Sequence, residues 1–177
     1  IGPPDNRGGT FTTNSNYFST PRRRSTTLAY NGYLYVVGGE QASSSTSCKN
    51  SGTSTMCNDV QYAAINVDGS IGTFTTNSNY FSIPRASHTS FISNGYLYVV
   101  GGVQANSDTN CKNSGTSTYC NDVQYAAINT SNGSVGTFTT NTNYFAYPRF
   151  GLPSAVYHGR LYIPGGDQRS PRAPSVR

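Results

Sequence analysis

Asn94-Gly95-Tyr96-Leu97-Tyr98-Val99-Val100-Gly101-Gly102 is the stretch on which the fold turns. Asn-Gly favours positive φ at both positions, which is the chemistry of a two-residue hairpin turn. The five residues after it are apolar or aromatic without a polar break. A strand of that kind has to be covered on both faces. Gly101-Gly102 is read as its end. The same string stands earlier as Asn31-Gly32-Tyr33-Leu34-Tyr35-Val36-Val37-Gly38-Gly39, and the Gly pair returns at Gly165-Gly166.

Working outward, the neighbours recur with it. Gly-Thr-Phe-Thr-Thr begins at Gly9, Gly72 and Gly136, a spacing of 63 and then 64 residues. The extra residue falls in a turn, where Asn66-Val67-Asp68-Gly69-Ser70 becomes Asn129-Thr130-Ser131-Asn132-Gly133-Ser134. Asn58-Asp59-Val60-Gln61-Tyr62-Ala63-Ala64-Ile65-Asn66 returns from Asn121 to Asn129, and Cys48 and Cys57 return as Cys111 and Cys120. A fixed period marks an array of one supersecondary unit. We divide the chain 1–177 into repeats at about 9–71, 72–135 and a partial 136–166, followed by a non-repeat tail, 167–177.

Each unit is predicted to hold four strands. In the middle copy these are Arg85 to Ser93, Tyr96 to Val100, Asp122 to Asn129, and Gly136 to about Phe145. A long polar loop separates the second from the third, and Pro148 stops the last. Inner strands covered on both faces suit a radial array of four-stranded sheets, so the expected class is all-β, built of β-propeller blades. A sandwich or barrel of hairpins is the competing arrangement. Three second strands but only two third strands make an incomplete ring of about three blades. The chain, which starts at Ile1, is therefore expected to be a segment of a longer polypeptide, or to complete a ring with other chains.

Composition fits this class. Thr, Tyr, Val and Phe suit a pleated surface and strong helix formers are scarce. With 12% aromatic and only 11% charged residues the chain is not of the disordered type. The net charge of +5 is uneven: Arg22, Arg23 and Arg24 cluster, and Arg160, Arg169, Arg172 and Arg177 load the C-terminal end. No basic stripe recurs with the repeat, which argues against nucleic acid. No apolar run reaches the ~18 residues of a membrane helix.

An apolar strand ending in Gly-Gly, followed by a loop, a Tyr-bearing strand and an aromatic-bearing strand, resembles the kelch repeat. The pieces here are Tyr33 to Gly39, Tyr62 and Phe74. Pro84-Arg85-x-x-His88 also resembles kelch-like repeats of bacterial surface proteins. The resemblance implies a propeller of extracellular type and says little about activity. The unit departs from the family in three ways. Phe11, Phe74 and Phe138 stand where Trp is usual. The repeat exceeds the ~50 residues usual for kelch, the surplus lying in the Cys-bearing loop. His88 is replaced by Ser25 and Leu152 in the other copies.

Cys48 with Cys57 and Cys111 with Cys120 repeat a Cys-x8-Cys spacing. Four cysteines allow three pairings, and pairing within each repeat is the simplest. Zinc prefers closer Cys spacing and additional ligands, and free thiols are the third option. Disulfides point to an oxidising compartment, hence an extracellular or cell-surface location.

Chemistry of catalytic type is sparse. Asp59 and Asp122 open their third strands and read as turn caps. No Ser-His-Asp set or phosphate-cradling Gly loop is present, and no cofactor or metal is implied. Arg22, Arg85 and Arg149 each follow a Pro. Together with His88 they are the candidate binding residues: the arginines either bond backbone of a neighbouring blade or line one face or the channel and take anions, and His88 is either a hydrogen-bonded blade residue or a catalyst. Asn129 and Asn132 head formal N-glycosylation sequons. The expected function is an extracellular or cell-surface module for protein or glycan binding or adhesion, without catalysis, its recognition carried by loops on a rigid scaffold. Two alternatives are a structural subunit of a surface layer, filament or viral appendage, and a piece of a propeller enzyme whose active site lies elsewhere.

Overall fold

The computed structural model describes residues 12–42, 48, 55–105, 111 and 118–167. The Gly9-Thr10-Phe11 start of the first repeat, most of both Cys-bearing loops and the tail beyond Asp167 lie outside the described residues. What is described is all-β, with antiparallel pairing throughout and no helix.

Twelve strands form three groups. The first sheet holds β1 (Arg22–Arg23), β2 (Thr26–Tyr30), β3 (Tyr33–Gln41), β4 (Met56–Ala64) and β5 (Thr75–Thr76). Here β3 is flanked by β2 and β4, β1 pairs the far end of β3, and β5 borders β4. The second sheet repeats this plan with β6 (Arg85–Ala86), β7 (Thr89–Ser93), β8 (Tyr96–Gln104), β9 (Tyr119–Ala127) and β10 (Thr139–Thr140). A hairpin of β11 (Ala155–Tyr157) and β12 (Arg160–Tyr162) is the third copy.

Sequence and structure differ at four places, the first two for a backbone reason. The expected first strand, Arg85 to Ser93, is split into β6 and β7 because Ser87 takes φ 52°. The second strand runs on through the glycines: β8 reaches Gln104, and its register against β9 shifts between Val100 and Gly102. Gly101 and Gly102 adopt φ 61° and 99°, so the pair forms a bulge, not a terminus. The third strand starts earlier, at Tyr119, and carries Cys120. The fourth is reduced to Thr139–Thr140, preceded by one bridge, Ile128 to Val135.

The two sheets stack face to face. Tyr35, Val37 and Val60 of the first meet Phe81, Leu97, Val99 and Val135 of the second in one dry cluster, each at 1% exposure or less. At roughly 1.5–3 kcal/mol for each large apolar side chain removed from water, this contact is the main cohesive term between the sheets. Polar bonds fix its register. Thr26 Oγ1 donates to Ser90 Oγ (2.8 Å), and Ser87 N donates to Arg24 O (2.9 Å).

The glycine pairs make the close approach possible. A Cβ on Gly38 would lie 2.9 Å from both His88 Cε1 and Phe81 Cζ of the next sheet. A Cβ on Gly101 would meet Leu152 Cδ1 at 2.7 Å. Any larger residue would hold the sheets apart.

Candidate functional site

Each complete repeat carries a charged cluster at the end of the sheet from which its Cys loop departs. In the second sheet, Arg85 follows Pro84 at the start of β6. Its Nη1 donates to Asp122 Oδ1 (2.6 Å) and to Gly101 O (2.9 Å), its Nη2 to Asp122 Oδ2 (2.9 Å), and its Nε to Ile83 O (3.2 Å). Gln124 Nε2 donates to Asp122 Oδ2 (2.9 Å), and Gln124 Oε1 accepts from Ser82 N (2.9 Å). The Phe81 ring lies 5.9 Å below the guanidinium. Both charged side chains are wholly enclosed.

The first sheet builds the same cluster from Arg22, Asp59, Gln61, Ser19 and Phe18. Arg22 Nη1 reaches Asp59 Oδ1 (2.5 Å) and Gly38 O (3.1 Å), and Gln61 Nε2 donates to Asp59 Oδ2 (3.0 Å). The two acids read from sequence as turn caps are therefore ion-pair partners, 37 residues after their arginines. The arginines bond their own repeat, not the backbone of a neighbouring one. Their donors are engaged and enclosed, and they present no open face to an anion. Bidentate Arg–carboxylate pairing, with each guanidinium nitrogen engaged in at least one hydrogen bond, is what makes such burial tolerable.

Arg149, the third copy of this position, has no carboxylate partner among the described residues. Arg23 and Arg24 are exposed and converge on Glu40, with Arg23 Nε to Glu40 Oε2 at 3.1 Å and Arg24 Nη1 at 3.2 Å. The hydrogen bond from Arg23 holds the Glu40 carboxyl below the ordinary range.

His88 lies at the seam of the two sheets and is 4% exposed. Its Nε2 is 3.2 Å from Thr26 Oγ1, while Nδ1 has no partner among the described residues. Burial, helped by the nearby Arg85 charge, pushes its pKa down to about 3, against a contact with the Val37 backbone that works the other way. The ring is neutral and acts as packing.

The disulfides pair within each repeat, Cys48 with Cys57 and Cys111 with Cys120, at Cα separations of 5.3 and 5.2 Å. Zinc and free thiols are thereby excluded for these four residues. Cys57 and Cys120 sit in β4 and β9, two residues before Asp59 and Asp122. Each disulfide ties a cysteine of the loop to the third strand, two residues from the buried Asp of the ion pair. Because the sheets stack in the same orientation, both loops leave the same end of the stack. Asn129 and Asn132 are exposed, each folded into a turn in which its Oδ1 accepts from a backbone N–H two residues on, Ser131 and Ser134 (3.0 Å each).

Sequence reasoning missed the Arg–Asp–Gln cluster. Its signal was present: Pro-Arg and Asn-Asp recur together at one interval.

No His/Cys/Asp/Glu grouping suited to a metal occurs among the described residues, nor any helix long and apolar enough to cross a membrane. No family model matches the chain, and no curated protein matches it in sequence. Among solved structures, the chain is similar to YjhT, at 19% identity with a TM-score of 0.56 over 81% of this chain and 44% of that one. The chain thus spans under half the length of that structure, and the likeness concerns the fold alone.

Proposed function

We propose that the chain is part of a kelch-like β-propeller on the cell surface or outside the cell, and that it binds protein or glycan without catalysis. One observation carries this reading: two loops of near-identical sequence, each tied by a disulfide to the third strand that carries the buried Asp of an Arg–Asp pair, connect the second and third strands of two stacked sheets. A rigid base under polar loops is how scaffolds present recognition surfaces. The charged groups that recur with the repeat are engaged internally, which supports a structural duty for them. Two disulfides favour an oxidising compartment. The Gly-Gly bulges and face-to-face sheets are compatible with blades, and the YjhT likeness supports repeated β architecture.

The test is a glycan and receptor-ectodomain array probed with the oxidised chain and with a chain carrying Cys→Ser at residues 48, 57, 111 and 120. Each bridge closes a loop of about ten residues and contributes roughly 2.5–3 kcal/mol on the chain-entropy model. Circular dichroism therefore has to show that the serine chain is still folded. Saturable binding that falls at least tenfold in the serine chain supports the proposal. An array without saturable binding, or binding indifferent to the bridges, removes it.

A further inference from the structure

The turn after the third strand is where the two complete repeats differ most sharply. In the first it is Asn66-Val67-Asp68-Gly69-Ser70, in the second Asn129-Thr130-Ser131-Asn132-Gly133-Ser134. Both close in the same way. In the first, Ser70 N (2.9 Å) and Ser70 Oγ (2.7 Å) donate to Asp68 Oδ1. In the second, Ser134 N (3.0 Å) and Ser134 Oγ (2.8 Å) donate to Asn132 Oδ1. Oδ1 is the atom the turn uses, and Asp supplies it as well as Asn. What Asn132 adds is Nδ2, which makes no hydrogen bond among the described residues. With Oδ1 held by two donors, the planar amide directs Nδ2 away from them. In the first copy the corresponding spare amide is engaged: Asn66 Nδ2 donates to Ser70 Oγ (2.8 Å).

The exposure of this nitrogen does not hang on either end of the chain. The unit before it is the complete first sheet, which reaches the turn at Gly133, under the Tyr33 ring, and at Thr130 O, which accepts from Asn31 Nδ2 (2.7 Å). Asn129, Thr130, Ser131 and Asn132 remain exposed. What a following unit does is seen at the first copy. The whole second sheet follows its turn, and Val67, Asp68 and Gly69 are still exposed.

We infer that Asn132 carries an N-linked oligosaccharide, an assignment that rests on the exported location proposed above. Asn132-Gly133-Ser134 meets the acceptor pattern of Asn, any residue but Pro, then Ser or Thr. The co-reactant is a lipid-linked sugar diphosphate. Nδ2 gives up one proton to a base and bonds to the anomeric carbon. The bond from that carbon to the diphosphate oxygen breaks, and the lipid diphosphate leaves with the electron pair. Oδ1 keeps both of its bonds, so the modified turn needs no rearrangement. Asn129-Thr130-Ser131 also meets the pattern, but its middle residue is docked on the first sheet. Asn129 itself is pinned at the base of the turn, its N donating to Ser134 O and its O accepting from Gly133 N (2.8 Å each). The sugar is therefore assigned to Asn132 alone. It follows the end of β9, whereas Cys120 stands near the start of that strand, so it leaves the disulfide end uncovered.

The test is secretion of the chain from cultured eukaryotic cells behind an added signal peptide. Export is thereby supplied, so an unmodified site counts against this assignment and not against the exported location, which the ligand array addresses separately. Trypsin releases residues 113–149 as one peptide, and peptide N-glycosidase in heavy-oxygen water converts a linked Asn to labelled Asp. The expected result is label at residue 132 and none at residue 129. N132D and S134A each lose the label and the associated gel shift, and N129Q keeps both. N132D installs the first copy's residue and retains an oxygen for Ser134, so its circular dichroism should match that of the enzymatically deglycosylated wild type. A secreted wild-type chain with Asn132 unmodified overturns the assignment. So does label confined to residue 129, or label that survives in a folded S134A chain.

Discussion

The contact between the first and second sheets and the contact between the second sheet and the third hairpin use the same glycines and the same hydroxyl pairing, yet they are not equivalent. Thr26 bonds Ser90 at one junction, and Thr89 Oγ1 lies 2.5 Å from Ser154 Oγ at the other. Gly38 receives Phe81 and His88; Gly101 receives Phe145 and Leu152. The difference lies in what stands behind. At the first junction the incoming Arg85 is locked by Asp122 on its own third strand. At the second, Arg149 follows its proline in the same way but has no such partner among the described residues. Strand two and its bulge therefore suffice to bring one unit against the next, while the third strand is what secures the incoming unit.

Removing that lock is the most direct way to break the comparison. Asp122→Ala leaves a guanidinium enclosed without its counter-charge, and Gln124 Nε2 loses its acceptor as well. The expected loss is about 3–5 kcal/mol, read from the urea midpoint. Asp59→Ala is expected to cost about as much, because the Arg22 and Asp59 side chains are as fully enclosed as Arg85 and Asp122. R85M/D122L, which replaces the pair by apolar residues, should recover most of the loss. If Asp122→Ala costs under about 1 kcal/mol, well below that range, the third strand is not what secures the second unit.

Much of this is legible in the sequence alone. Asn31-Gly32 and Asn94-Gly95 announced their hairpins, and their φ values of 47°, 75°, 50° and 78° are those of the expected turn. Tyr96 to Val100 announced a strand covered on both faces, and the copied Cys spacing announced two local bridges. What was not legible was long-range. Gly101-Gly102 looked like punctuation because the reason for two glycines, the approach of Leu152 and of His88, lies in distant segments of the chain. Asp122 looked like a turn cap because its partner is 37 residues upstream, beyond any local pattern. His88 and Leu152 occupy one position with different chemistry, and only the burial of that position explains why both fit.

That last pair sharpens the comparison through pH. His88 titrates near 6.5 when unfolded but near 3 in the folded chain. The unfolded state takes up the proton first, so stability is full above about pH 6.5 and is lost as the pH falls toward 3. Between about pH 7 and pH 4 the loss is roughly 3 kcal/mol. H88L, which installs the third copy's residue at the first junction, should flatten this part of the profile and leave only the carboxylate contribution. Urea midpoints of wild type and H88L, taken across that range, give the slope difference. Parallel profiles would mean that the seam admits a charged imidazole.

The smallest expected effect isolates the second junction. Tyr119 and Phe150 stack there at 4.8 Å and 14° between planes, where the first junction has Met56 and Ala86 in the corresponding places. Such a pair contributes about 0.5–1.5 kcal/mol beyond its buried area. Phe150 also bridges Asp167 through two backbone bonds, Phe150 N to Asp167 O (3.3 Å) and Asp167 N to Phe150 O (2.9 Å). Phe150→Ala keeps those backbone bonds and removes only the ring. Hydrogen exchange should then quicken at the amides of β11 and β12, while those of β7 and β8 keep their protection, because the hairpin leans on the second sheet and the second sheet leans on the first. Faster exchange spreading into β8 would show that the stack unfolds as one unit, and that the third copy is as tightly held as the second.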